Sequence, residues 1–247
     1  MINFRQWIIL LKDMTHWLPF EPMSLEYIAL TVALAAGPAL ILLRIIYKKD
    51  RRKPEPPRLV FFSILLGFAS TIPALILGSI SNRLITQFYP QHYLLLTAFV
   101  TAALIEEGSK MTMVYRYLVP KTSFDEVTDG ILYTAGTSMG FAILENLLYS
   151  AGNPLSLMLL RGVTAVPLHA TASGIMANWI ARAKFGNANL RFIGLFHAVL
   201  IHGTYNALLF TSSGFSLLVI PLLLFSWRKL KRLIDRALLE DRFHGRS

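Results

Sequence analysis

Residues 93–118, YLLLTAFVTAALIEEGSKMTMVYRYL, have the length and apolar character of a membrane-spanning helix. Near the middle stand two adjacent carboxylates, Glu106 and Glu107, with Lys110 one turn further on. An ionisable side chain at mid-bilayer costs about 2.5–3.5 kcal/mol even on the lenient insertion scale. A helix bearing three of them folds only where a protein interior or a water-filled cavity receives them. Every other intramembrane polar residue then becomes a candidate for what lies opposite.

Composition agrees with this reading. Of 247 residues, 54% are hydrophobic and 15% charged, with a mean hydropathy of +0.52. Ordinary soluble domains carry about 25% charged residues. The chain is therefore expected to be an all-α, polytopic transmembrane bundle, a single domain over residues 1–247. Cysteine is absent, which excludes disulfides, a thiol nucleophile and thiolate metal ligands. The net charge of +10 points to the lipid bilayer and not to nucleic acid. Its basic residues cluster beside apolar spans, where they set topology and meet anionic headgroups.

Seven apolar spans are expected, at about 24–47, 59–80, 93–118, 130–151, 155–181, 191–210 and 214–228. The connections alternate in charge. KKDRRKPEPPR after the first span is strongly basic, and the second connection has only Arg83. The third has Lys121, with Arg116 just inside the helix end, and the fifth has Arg182, Lys184 and Arg191. The fourth and sixth have no charge, and the tail is rich in Lys and Arg. The positive-inside rule then places the N-terminus outside and the C-terminus in the cytoplasm. Residues 229–247 read as a cytoplasmic tail with an amphipathic helix over 229–243. Residues 1–22 read as an interfacial segment and not a signal peptide, because Lys12 and Asp13 interrupt the apolar run.

Helix phase sorts the buried polar residues. Glu106 and Lys110 share a face at i, i+4, and Glu107 is turned by about 100°. That phase suits Glu106 as the ionised partner of Lys110 and leaves Glu107 freer to exchange a proton. A base must also face the cavity, so both are expected to be required and their individual roles stay open. Ser123 and Glu126 fit a capping box opening the fourth span, and Asp125, Glu126 and Asp129 are expected to cap its start or to favour its positive dipole end. Gly136 and Gly140 form a GxxxG face for close helix packing. Glu145 lies on another face of that span. In the fifth span Pro167 precedes His169, and small residues follow, open to close approach by another helix. In the sixth, His202 and Asn206 share a face, whereas His197 points elsewhere and reads as a packing residue.

EEGSK at 106–110, FDEVTDGILY at 124–133, FAILEN at 141–146, PLHA at 167–170 and HGTYN at 202–206 resemble, in order and spacing, the motifs of the PrsW family of intramembrane proteases. That family belongs to the superfamily of type II CAAX proteases and Abi proteins. The resemblance covers about residues 95–210. It implies a membrane endopeptidase in the plasma (inner) membrane of a prokaryote, cutting membrane-anchored substrates such as an anti-sigma factor. By motif, Glu106, Glu107 and His202 would be catalytic, with His169, Glu145 and Asn206 completing the site. The last motif departs from the HxxxD frequent in PrsW relatives. Asn206 cannot act as a carboxylate ligand or base, which leaves it a hydrogen-bonding role.

Water is the remaining nucleophile for such a site. In a glutamate-type mechanism, one of the paired glutamates is the general base. His202 and Asn206 then stabilise the oxyanion, and His169 orients water or protonates the leaving amine. No cofactor is required. In a metal version, His169, His202 and one of Glu106 and Glu107 bind Zn²⁺, and the other glutamate is the base. The absence of HExxH favours the glutamate version. Two readings from other classes are a non-catalytic scaffold that binds transmembrane helices and a proton-coupled transporter. The transporter reading calls for inverted repeats, which the sequence lacks.

Overall fold

The computed structural model describes residues 25–49, 53–151, 153–211 and 214–244, and the proposed interfacial segment 1–22 lies outside them. All regular structure among the described residues is helical. Helix α1 spans Leu25–Tyr47 and α2 spans Pro57–Phe88, opened by Pro57 where its missing N–H costs nothing. A composite rod follows: a 3₁₀ turn at Pro90–His92, α3 at Tyr93–Leu96, a π segment at Thr97–Leu104 and α4 at Ile105–Tyr117. Then come α5 (Val127–Ser150), α6 (Leu155–Phe185), α7 (Leu190–Phe210) and α8 (Val219–His244).

Four of these, α1, α2, α6 and α7, are long and apolar enough to cross a membrane. Large apolar side chains such as Ile41, Phe61, Ile72, Ile76 and Phe196 face outward from them. In water such a surface would drive aggregation, whereas in a bilayer it is the solvated face.

Helix α5 occupies the centre, packed by α1, α2 and α6. Every residue from Thr128 to Ile143 is buried. Its GxxxG face meets α2 backbone to backbone, as the sequence spacing predicts. A Cβ on Gly136 would collide with Ser63, and one on Gly140 with the Ile64 carbonyl. The capping box starts three residues later than the Ser123 spacing suggests. Glu126, not Ser123, is the N-cap, and Asp129 Oδ2 accepts from the backbone N–H groups of Glu126 (2.6 Å) and Asp125 (2.9 Å). Asp241 of α8 accepts from the next two N–H groups, Val127 (2.9 Å) and Thr128 (3.0 Å). The open end of α5 is thus satisfied partly in trans.

The C-terminal region also differs from expectation. The short span at 214–228 and the amphipathic helix at 229–243 form one continuous rod, α8, after a 3₁₀ turn at Gly214–Leu218. Leu230, Ile234 and Ala237 are buried, and Leu230 sits where a side chain on Gly174 of α6 would be. The small residues after His169 thus admit a neighbouring helix. The amphipathic portion is docked on the bundle by its apolar stripe, while Lys231, Arg232 and Arg236 stay exposed.

Candidate functional site

Helices α4, α5, α6 and α7 bring their polar residues to one place. On α4, Glu107 and Lys110 are fully buried. Lys110 Nζ donates to Glu107 Oε1 at 2.7 Å and to His169 Nδ1 at 2.9 Å, and lies 4.2 Å from the centre of the Phe141 ring. This corrects the pairing read from helix phase. Lys110 bonds to Glu107 at i, i+3 and not to Glu106 at i, i+4, both spacings being within reach on a helix.

Glu107 is saturated. Its Oε1 also accepts from His202 Nδ1 (3.0 Å), and its Oε2 accepts from Ser173 Oγ (2.6 Å). His169 extends the network to α5, where its Nε2 lies 2.8 Å from Glu145 Oε2. Glu145 is held in turn by Arg161, whose Nη2 is 2.9 Å from the same oxygen. Arg161 Nε donates to Asn146 Oδ1 (2.7 Å), and its guanidinium lies 3.8 Å from the centre of the Tyr149 ring. The two imidazoles meet edge to face, with centroids 5.1 Å apart.

These contacts assign the tautomers. Lys110 has only protons to give, so His169 Nδ1 is the acceptor and Nε2–H donates to Glu145. The Glu107 carboxylate has only lone pairs, so His202 donates from Nδ1–H, which in the neutral imidazole leaves Nε2 as the lone pair. That lone pair faces Glu106 Oε2 at 3.8 Å. The Glu106 oxygen is buried and has no hydrogen-bond partner among the described residues. Two acceptors facing each other at this distance call for a proton donor or a cation between them.

Asn206, one turn beyond His202, is buried and makes no side-chain hydrogen bond among the described residues. His197 stacks on Trp179 with centroids 5.9 Å apart, outside this cluster, as a packing residue. Sequence reasoning missed Ser173 as a partner of Glu107 and Arg161 as the partner of Glu145. The intramembrane position of Arg161 was itself a signal. Ser173, one turn from His169, was hidden among small residues.

The rod that carries Glu106 changes pitch just before it. The eight-residue π segment Thr97–Leu104 precedes α4 directly. It places Phe99 over Gly203, where any Cβ would collide with the ring. Such wider turns recur next to functional residues.

Glu106, His169 and His202 each offer one ligand atom, all within 4.8 Å of one another. Two imidazoles and a carboxylate are a donor set that suits Zn²⁺. The orphaned Glu106 oxygen and the free His202 Nε2 fit an ion directly, and Glu107 behind Nδ1 is the usual outer carboxylate of a ligating histidine. His169 would complete the set on releasing one of its two present contacts.

The family model for the PrsW family intramembrane metalloprotease matches residues 55–227. The chain is similar to Protease PrsW of Bacillus subtilis, 28% identical over 203 residues, covering 79% of this chain and 90% of that protein. Protease PrsW of Oceanobacillus iheyensis is 33% identical over 202 residues, 78% and 90% of the two chains. Protease PrsW of Clostridioides difficile is 34% identical over 186 residues, 71% and 77% of the two chains. No solved structure matches.

Proposed function

Because the chain belongs to the PrsW family of intramembrane proteases, we propose that it hydrolyses a peptide bond of a membrane-anchored protein with a water held between Glu106 Oε2 and His202 Nε2. The observation that carries this reading is the unpartnered, buried Glu106 oxygen facing an imidazole lone pair. Glu106 takes the proton as the water oxygen attacks the carbonyl carbon. Asn206 Nδ2 donates to the oxyanion that forms. The C–N bond then breaks, and the proton held on Glu106 passes to the leaving amine. Glu107, locked by three donors, orients His202 and compensates Lys110. His169, engaged at both nitrogens, links Lys110 to Glu145. Helix phase alone left the roles of the two glutamates open, and the donors gathered around Glu107 favour Glu106 as the base.

The metal reading rests on the three convergent ligand atoms. An ion held by Glu106, His169 and His202 would supply Lewis-acid activation of water and polarisation of the scissile carbonyl. The engaged His169 nitrogens favour the metal-free version. Asn206 in the last motif matches the CAAX branch of the wider superfamily. The substrate class is a single-span membrane protein, an anti-sigma factor among them, in the inner membrane of a bacterium. The whole chain acts as one domain.

The test is co-expression with candidate single-span proteins, followed by cleavage with purified enzyme. Wild type should release a product that Glu106→Gln does not, and cleavage should survive strong chelation and dialysis. Activity lost on chelation and restored by Zn²⁺ would establish the metal version. A Glu106→Gln enzyme with full activity would remove Glu106 from the mechanism altogether.

A further inference from the structure

A crevice of about 230 Å³ opens between the end of α1 and the middle of α8, far from the glutamates in sequence and built from other helices. Its walls are Ile45, Trp227, Leu230 and Ile234, and its rim carries Lys49 and Lys231. The crevice lies where both helices leave their apolar stretch. α1 ends at Tyr47 and runs into the basic connection, and Trp227 is followed at once by Arg228, Lys229, Lys231 and Arg232. Tryptophan and lysine at such a boundary mark the level of the lipid headgroups.

The charges at the rim do not cancel. Lys49 lies 3.8 Å from Asp235, both side chains being about half exposed. Lys231 has no ion pair among the described residues, and its side chain is exposed. Two ammonium groups at the rim thus face one carboxylate. An apolar slot roofed by surplus positive charge complements a molecule with a hydrocarbon chain and an anionic head. Basic pockets between membrane helices bind anionic lipid headgroups on this principle.

We infer that the α1–α8 crevice binds one anionic glycerophospholipid, its acyl chain between Ile45 and Trp227 and its phosphate between Lys49 and Lys231. This site is independent of the peptide-bond chemistry. Its occupant bridges the first described helix and the helix whose Asp241 caps α5.

The experiment uses the full chain in nanodiscs of phosphatidylcholine containing phosphatidylglycerol, with retained lipid counted by native mass spectrometry. Wild type should retain one phosphatidylglycerol in preference to phosphatidylcholine. The double variant Lys49→Gln/Lys231→Gln should lower that retention by about tenfold or more, given the strength of a lysine near an anionic surface. Ile45→Trp fills the slot without changing charge and should also lose the lipid, with its melting temperature showing that it folds. The charge-matched variant Arg228→Gln/Arg236→Gln should keep it, and millimolar inorganic phosphate should not displace it. Equal loss in that control, equal retention of phosphatidylcholine, or displacement by free phosphate would each overturn the site.

Discussion

Glu107 accepts hydrogen bonds from Lys110, Ser173 and His202, while Glu106 Oε2 accepts none. Two adjacent carboxylates are therefore expected to fail in different ways when neutralised. Glu107→Gln leaves Lys110 charged and buried without its partner, and breaking a buried pair from one side costs about 3–5 kcal/mol. Its melting temperature should fall along with its activity. Glu106→Gln removes no hydrogen bond, so it should melt like wild type while cleavage disappears. Asn206→Ala should lower kcat by about 10²–10³-fold, the usual cost of one oxyanion donor, with little change in stability. Single-turnover cleavage and thermal melts on the same preparations read all three. The positions of these groups were legible in the sequence, because charge inside an apolar span needs a reason. Their partners were not. Lys110 reaches both i−3 and i−4, and the choice was made by His169, which lies on another helix.

At the scale of elements, glycine decides how near α2 and α5 come. Gly67, Gly136 and Gly140 have no room for a Cβ, since the opposing atoms are backbone or the short Ser63 side chain. Backbone cannot swing aside, so Gly140→Leu should force the two helices apart and destabilise by about 1–3 kcal/mol or more. A fall in melting temperature in detergent, with the site intact at the residue level, is the expected signature. The GxxxG spacing made this contact legible from α5 alone. The capping of α5 was half legible: the acidic cluster Asp125, Glu126 and Asp129 announced a helix start, but Asp241 comes from the far end of the chain. Asp241→Ala should cost about 1 kcal/mol, the usual value of a lost cap, and should loosen α8 as well as α5. The π segment had no sequence signature, since its residues TAFVTAAL suit an ordinary helix. The segment carries Phe99, whose ring packs against Gly203.

At the scale of the molecule, the contacts gather at one end of the bundle. Lys53 of the α1–α2 connection bonds Asp125 at 2.5 Å, and Tyr133 near the start of α5 donates to Glu55 of that connection. Arg182 at the end of α6 pairs with Glu240 of α8 at 2.8 Å, next to the Asp241 cap. The α1–α2 connection, the start of α5, the end of α6 and the C-terminal part of α8 thus share one end. These are the segments that the charge alternation places on a single side of the membrane. The positive-inside rule predicts that this end is the cytoplasmic one, because loops rich in Lys and Arg are retained there. A fluorescent protein fused after Ser247 should therefore light up in bacterial cells, and alkaline phosphatase fused there should be inactive. Phosphatase inserted near Asn153, in the uncharged connection between α5 and α6, should be active. The opposite pair of results would invert the bundle, and activity at both positions would mean that the helices between them do not all cross.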